Sequence, residues 1–274
     1  MSVFRPEKLF GIIGHPLGHT MSPLLHNWGF TEHKIPAVYM AWPTEPEKVK
    51  SFMRTFRDLP ISGASVTIPH KLSVMNYTDQ LTERAESVGA VNTLFWRDDK
   101  IVGDNTDAAG VSEPLRPYSD HIHKALLIGA GGAARAAITG FKELGIKKIF
   151  ITNRTKSKAD ELAEEFKISV VDWDNRGDQH YDLIVNSTSL GMSGKFVDIN
   201  PMIMDNQDEH TVVFDLVYNP METVFIREAK AKGCRAIHGI EMFIHQGLEQ
   251  FRLWTGINVD EKKARELLLE HLRG

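Results

Sequence analysis

Lys124-Ala125-Leu126-Leu127-Ile128-Gly129-Ala130-Gly131-Gly132-Ala133-Ala134-Arg135 sets an apolar run against a glycine turn and then enters a helical pattern. A short buried strand, a tight turn and a helix start are the parts of a dinucleotide-binding unit. Gly129 permits the turn. Gly131, lacking a Cβ, lets the backbone approach a pyrophosphate. Gly132 and Ala133 open the helix, whose free N–H groups and positive dipole face the anion. Ala134 stands where a third glycine is usual, so the fingerprint is incomplete. A glycine turn alone is also found as a plain tight turn; the strand before it and the helix after it favour ligand binding.

The next strand, Lys147-Lys148-Ile149-Phe150-Ile151-Thr152, bears on the cofactor. In NAD-binding units an acidic residue commonly ends this strand and holds a ribose hydroxyl. Here the chain continues Asn153-Arg154-Thr155, followed by Lys156 and Lys158. The acid is missing and a guanidinium has arrived, able to fork onto a phosphate and stack on adenine. Thr155 and the following helix start add donors. This favours NADP(H). The plainer alternative for Arg154 is a solvated surface charge.

The 274 residues suffice for two domains, each with a core of its own. A net charge of −4 offers no basic field, so neither nucleic acid nor a membrane surface is an expected partner. One cysteine, Cys234, excludes a disulfide framework and a four-cysteine zinc site. With no secretory leader pattern and no apolar stretch of membrane-span length, a cytoplasmic protein is expected.

Before the glycine turn, Leu9–Gly14 reads as a buried strand running into His15-Pro16-Leu17-Gly18-His19-Thr20-Met21-Ser22-Pro23. Ser22 is placed as helix N-cap with Pro23 at the first helical position. His15, His19 and His26 lack an HExxH arrangement and are read as unligated, so no metal is expected. Val38–Trp42 and Ala64–Ile68 are the next strands, the second ending at Pro69-His70-Lys71. Thr44 and Glu47 have capping-box spacing. Ala90–Trp96 and Lys100–Gly103 form a hairpin about Asp98-Asp99, and Asp104-Asn105-Thr106-Asp107 leads into a helix. Beyond Lys124 the pattern alternates strand and helix. Strands at 126–128, 149–152, 169–171, 183–186, 212–215 and 235–237 imply a parallel sheet covered on both faces. Ligands bind at strand ends in such sheets, which draws attention to Asn186–Met192 and Asp215–Pro220. Gly239–Thr255 is a long helix predicted to return to the first domain.

With these residues laid out, the chain resembles the shikimate dehydrogenase (shikimate/quinate dehydrogenase) family over nearly its whole length. The matching motifs are the Gly14–Pro23 loop, Ser65–Lys71, Ala90–Leu94, Gly103–Asp107, Gly129–Arg135, Asn153–Thr155, Tyr218–Pro220 and Gly239–Gln246. The resemblance implies a two-domain α/β fold. Residues 1–108 with 239–274 would form a discontinuous substrate domain, and 109–238 a Rossmann-type NADP domain, with a cleft between them. It implies an NADP-dependent oxidoreductase acting on a CH–OH group. The reaction would be reversible reduction of 3-dehydroshikimate to shikimate, in the pathway to chorismate and the aromatic amino acids. The partners are then small molecules, and the protein a monomer or homodimer.

The resemblance also assigns roles. A carbonyl oxygen that gains charge during reduction needs a proton donor beside it, and Lys71, oriented by Asp107, is the candidate. Which of the two moves the proton stays open. Asn92 and Asp107 would hold ring hydroxyls, with Thr67 and Gln246 beside them. Thr20 and Ser22 would take the substrate carboxylate, and Tyr218 would close the site. The cofactor set comprises Gly129, Ala130, Gly131, Gly132, Ala133, Asn153, Arg154, Thr155, Lys158, Thr188, Ser189, Met192, Leu216, Gly239 and Met242. Serine is usual at both hydroxyl positions of the first loop, and here the first is Thr20. Threonine there also occurs in quinate-using relatives, so quinate remains an alternative substrate. A non-catalytic nucleotide-binding regulator is the other alternative, and it has no use for both Lys71 and Asp107. His70, just before Lys71, has no account from sequence.

Overall fold

Strand β1 (Lys8–Gly14) is buried from Phe10 onward because it has a parallel neighbour on each side. Its side chains alternate between two cores. Phe10 and Ile12 pack with Phe30, Tyr39 and Phe251 on one face, whereas Ile13 packs with Met53, Phe56 and Val66 on the other. The computed structural model describes residues 5–18 and 20–273, so His19 lies outside the described residues. Two compact units emerge. The first contains the residues up to Thr106 together with those from Gln246 onward, and the second is Asp107–His245.

In the first unit, β1 is followed by α1 (Ser22–Glu32), β2 (Ala37–Pro43), α2 (Val49–Asp58), β3 (Ile61–Val66), β4 (Gln80–Leu81), α3 (Glu83–Val88), β5 (Thr93–Arg97) and β6 (Lys100–Asp104). The sheet order is β2-β1-β3-β5-β6-β4, with β5 antiparallel to both neighbours. The β5–β6 turn puts Asp98 and Asp99 at φ 50° and 58°, the left-handed pair that a tight two-residue hairpin needs.

Three local expectations are corrected. Strand β3 stops at Val66 rather than Ile68, because the chain turns there, the His70 N–H closing back on the Thr67 carbonyl at 2.9 Å. Ala90–Asn92 lies outside β5, since the Val91 N–H goes to the Lys71 carbonyl at 2.8 Å. Thr44 makes no capping box: its hydroxyl donates to the Trp42 carbonyl at 2.9 Å, and Pro46–Lys48 forms a 3₁₀ turn before α2 begins.

The second unit starts with α4 (Asp107–Leu115). It continues through β7 (Lys124–Ile128), α5 (Gly132–Glu143), β8 (Lys148–Thr152), α6 (Lys156–Phe166), β9 (Ser169–Val170), β10 (Leu183–Asn186), β11 (Val212–Asp215), α7 (Val224–Ala231) and β12 (Arg235–Ile237). Its strands are all parallel, in the order β12-β11-β10-β7-β8-β9. That is the doubly wound order of a Rossmann sheet, with its reversal between β7 and β10. The chain ends with α8 (Gly239–Thr255) and α9 (Glu261–Arg273). Residues 239–245 of α8 group with the second unit. Gly239 packs so closely there that a Cβ on it would lie 2.4 Å from the Val217 carbonyl oxygen. No helix among the described residues is long and apolar enough to cross a membrane.

Candidate active site

Thr20 and Ser22 follow β1 in the turn that enters α1. The Thr20 hydroxyl donates to Ser22 Oγ at 3.2 Å, and the Ser22 N–H donates to Thr20 Oγ1 at 3.3 Å. The turn thus brings the two hydroxyls together. Ser22 is not the N-cap; Met21 holds that position, and no side chain caps α1. His15 is exposed, whereas His26 is buried in a stack with Tyr39, Phe251 and Trp254.

Thr67 and Lys71 are both half-buried, on the loop beyond β3. His70 anchors that loop. It is 1 % exposed, and its Nε2 lies 2.6 Å from the Thr44 carbonyl oxygen. A carbonyl can only accept, so that nitrogen carries the proton. The Lys71 carbonyl accepts the Val91 N–H, so the lysine's backbone is held from both sides. His70 is a structural residue that sequence left unexplained.

Asn92 is buried where the chain leaves that contact. Its Oδ1 accepts the Thr106 N–H at 2.8 Å and the Thr93 hydroxyl at 2.7 Å, and its Nδ2 donates to Thr106 Oγ1 at 3.0 Å. Gln246, half-buried on α8, belongs to the same unit. Asp107 is buried at the start of α4 in the second unit.

In the second unit Gly129 has φ +112°, and a Cβ there would strike Ser187 Oγ at 2.6 Å and Thr188 Cγ2 at 2.9 Å. Gly131 is the N-cap of α5 and offers no side-chain acceptor to the helix. A Cβ on Gly131 or Gly132 would meet nothing within 4 Å. The fold therefore has no steric need for glycine at these two positions, and the open space above them admits a ligand phosphate. Ala133 is half-buried, and Ala134, at the third glycine position, is fully buried in the core. Ala130, Leu216 and Met242 border one hydrophobic core together.

Beyond β8, Asn153 folds over its own turn, its Nδ2 donating to the Thr155 carbonyl at 2.8 Å. Arg154, Thr155 and Lys158 are exposed around the start of α6, and the N-cap residue Thr155 makes no side-chain cap. At the end of β10, Asn186 Oδ1 accepts both the Thr188 N–H and its hydroxyl, at 3.1 and 2.7 Å. Ser189 and Met192 are exposed on the turn that follows. Asn186 Nδ2 donates to Asp215 Oδ1 at 2.9 Å, which also accepts the Val217 N–H at 3.1 Å. The Thr223 hydroxyl donates to Asp215 Oδ2 at 2.6 Å and caps α7. Burial pushes Asp215 up to about 6 against the pull of these donors. Tyr218 is partly exposed, with its ring 6.1 Å from that of Phe243. The sequence marks Asp215 only as the start of a strand-end segment, and its role as the hub of these bonds has no local signal.

The strand-end glycines, the cap-free starts of α5 and α6, and the cationic turn after β8 fit a phosphorylated dinucleotide. Residues 12–94 match the family described as shikimate dehydrogenase substrate binding domain. Residues 118–220 match shikimate/quinate 5-dehydrogenase, and 239–269 match the shikimate 5′-dehydrogenase C-terminal domain. A protein named shikimate dehydrogenase (NADP(+)) from Maridesulfovibrio salexigens is 85 % identical over 272 residues, covering 99 % of this chain and 100 % of that protein. The shikimate 5-dehydrogenase of Thermus thermophilus, solved with NADP(H) and shikimate, has a TM-score of 0.86 at 33 % identity, covering 94 % of this chain and 97 % of that one. Quinate dehydrogenase from Corynebacterium glutamicum, solved with NAD, has a TM-score of 0.88 at 27 % identity, covering 96 % of this chain and 98 % of that one. Matched from end to end in sequence and in fold, the chain belongs to the shikimate dehydrogenase family.

Proposed function

We propose that this protein is an NADP-dependent shikimate dehydrogenase that reversibly reduces 3-dehydroshikimate to shikimate. The observation that carries this reading is the end-to-end similarity to the Maridesulfovibrio salexigens enzyme of that name. The geometry of each unit supports it. NADP, when bound, supplies the hydride chemistry. Gly131, Gly132 and Ala133 at the start of α5 would hold its diphosphate. Arg154, Thr155 and Lys158, with Asn153 shaping the turn, would hold the 2′-phosphate. Gly129, Ala130, Thr188, Ser189, Met192, Leu216, Gly239 and Met242 complete the proposed dinucleotide surface.

In the substrate unit, Thr20 and Ser22 donate to the carboxylate through their adjacent hydroxyls. Asn92, Thr67, Gln246 and Asp107 hold the ring hydroxyls, and Tyr218 closes over them. Reduction leaves negative charge on the former carbonyl oxygen, and the Lys71 ammonium, oriented by Asp107, supplies the proton there. We assign residues 1–108 and 239–274 to substrate and 109–238 to cofactor. We further place the enzyme in the cytoplasm, as a monomer or homodimer.

Quinate is the second reading, favoured by Thr20 and by the fold shared with quinate dehydrogenase. Quinate carries an extra hydroxyl at the carboxylate-bearing carbon, where the Thr20 methyl narrows the site. A steady-state assay crossing shikimate and quinate with NADP and NAD tests both readings. The highest kcat/KM is expected for shikimate with NADP; a higher value for quinate would overturn the substrate assignment. Thr20→Ser is expected to shift the shikimate/quinate ratio by no more than about 200-fold, the worth of one methyl in a pocket.

A further inference from the structure

Beneath Asn92 runs a buried chain of hydrogen bonds that the proposed reaction does not use. The Tyr39 hydroxyl donates to Ser65 Oγ at 2.6 Å, and the Ser65 hydroxyl donates to Gln250 Oε1 at 2.8 Å. Gln250 Nε2 donates to the Asn92 carbonyl at 3.1 Å and to Thr93 Oγ1 at 3.0 Å. The Thr93 hydroxyl donates to Asn92 Oδ1. Gln250 is 2 % exposed, and Ser65, Asn92 and Thr93 are similarly buried.

The chain has one polarity. A backbone carbonyl only accepts, so the Gln250 atom facing Asn92 O is its nitrogen, which fixes the flip of that amide. Having accepted a proton from Gln250, the Thr93 oxygen directs its own hydrogen at Asn92. The atom of Asn92 that receives it, and receives the Thr106 N–H, is therefore the oxygen. Gln250, through Thr93, thus supports the same edge of the Asn92 amide as carbonyl that the Thr106 N–H selects. We infer that Gln250 is a positioning residue for substrate recognition, bracing through Thr93 the orientation in which Asn92 meets a ring hydroxyl. This rests on the proposed role of Asn92. The titratable groups against the chain are His26, Tyr39 and Asp104, the last paired with Thr93 across β5 and β6 and accepting the Asn92 N–H through its carbonyl. Burial lowers His26 to about 3 and raises Tyr39, so both stay neutral between about pH 5 and pH 9.

The test uses the full chain with Gln250→Met, Gln250→Glu, Thr93→Val and Asn92→Ala. Gln250→Met removes three buried links, so the thermal midpoint should fall, while loss of the one that reaches Asn92 through Thr93 should raise the KM for shikimate about threefold to tenfold, with NADP affinity close to wild type. Thr93→Val breaks the Gln250–Thr93–Asn92 link but keeps the bonds of Gln250 to Ser65 and to the Asn92 carbonyl, so its shikimate KM should match that of Gln250→Met at a smaller loss of thermal midpoint, and the KM of the double variant should be no higher than that of the more affected single one. Gln250→Glu as carboxylate accepts where a donor is needed; its KM should recover as pH is lowered and the carboxyl regains a proton, whereas Gln250→Met should show no such recovery. In ligand-free ¹⁵N-labelled protein, the Asn92 side-chain NH₂ signals, assigned by their loss in Asn92→Ala, should exchange faster in Gln250→Met than in wild type. Unchanged NH₂ exchange overturns the inference whatever the substrate proves to be. So do an unchanged shikimate KM in Gln250→Met, additive effects in the double variant, a KM rise matched by loss of NADP affinity, or Met and Glu variants with the same pH response. Absence of wild-type turnover on shikimate instead overturns the proposed function, and leaves the NH₂ exchange to decide the orientation by itself.

Discussion

Lys71 follows a buried histidine on a loop fixed at both ends, and that constraint is what a proton donor needs. Lys71→Met should depress kcat by about 10²–10⁴, as expected for a lost general acid–base group, with shikimate binding changed far less. A kcat near wild type with a raised KM would make Lys71 a ground-state contact instead. Arg154, exposed at the head of α6, makes the second expectation. Losing one charge-assisted phosphate contact costs about 1.5–3 kcal/mol, so Arg154→Ala should weaken NADP use while sparing NAD. Equal effects on both cofactors would remove the phosphate from Arg154. Residues of this kind stand out in a sequence because lysine past a buried strand and arginine in place of an acid are chemically conspicuous. His70, Asp215 and Gln250 do not stand out, since partners that define them are a backbone carbonyl, an amide and a hydroxyl distant in sequence.

Elements were legible where one periodicity dominates. The central strands of the parallel sheet, β7, β10 and β11, are largely apolar runs buried on both faces, and these with β8 and β12 lie close to where the pattern puts them. Ends of elements were harder, because a single side chain has several local partners to choose among. Thr44 had the spacing of a cap, yet its hydroxyl bonds to Trp42. The ends of β10 and β11 show the same local competition resolved around Asp215, which joins Asn186, the Val217 N–H and the cap of α7. An unfolded aspartate titrates at about 3.9, whereas Asp215 is pushed up to about 6. Between those values the native state holds more protons than the unfolded one, so stability falls as pH rises from about 4 to 6. Above that window the full cost is present, about 3 kcal/mol. Asp215→Asn removes the titration, and its amide keeps an acceptor for Asn186 and Val217. Urea unfolding should show the variant gaining on wild type by up to about 3 kcal/mol between pH 4 and pH 7. A constant difference across that range would mean that Asp215 carries no buried charge.

For the molecule as a whole, alternation of strand and helix gave the class of the second sheet, but its order came only with the structure. Strand order depends on which crossovers pack best, and no local pattern encodes that. The mixed first sheet was still less legible, because β5 alone reverses direction within a run of otherwise parallel strands. The division into two units nonetheless makes a prediction that depends on neither order. A ligand that binds only the folded state stabilises what it binds by about 2.7 kcal/mol at a hundred times its Kd, which slows exchange through full opening about a hundredfold. NADP should therefore slow amide exchange first in the strands and helix starts of Asp107–His245, around Gly129–Ala134, Asn153–Thr155 and Asn186–Thr188. Shikimate should slow it in the first unit, around Thr20–Ser22, Thr67–Lys71 and Asn92, and quinate at equal concentration should slow it less. NAD should give weaker protection than NADP at the Asn153–Thr155 turn in particular, because the 2′-phosphate is the part it lacks. Measured by mass spectrometry on the intact chain, protection by shikimate confined to Asp107–His245, or by NADP confined to the first unit, would reverse the assignment of ligands to units.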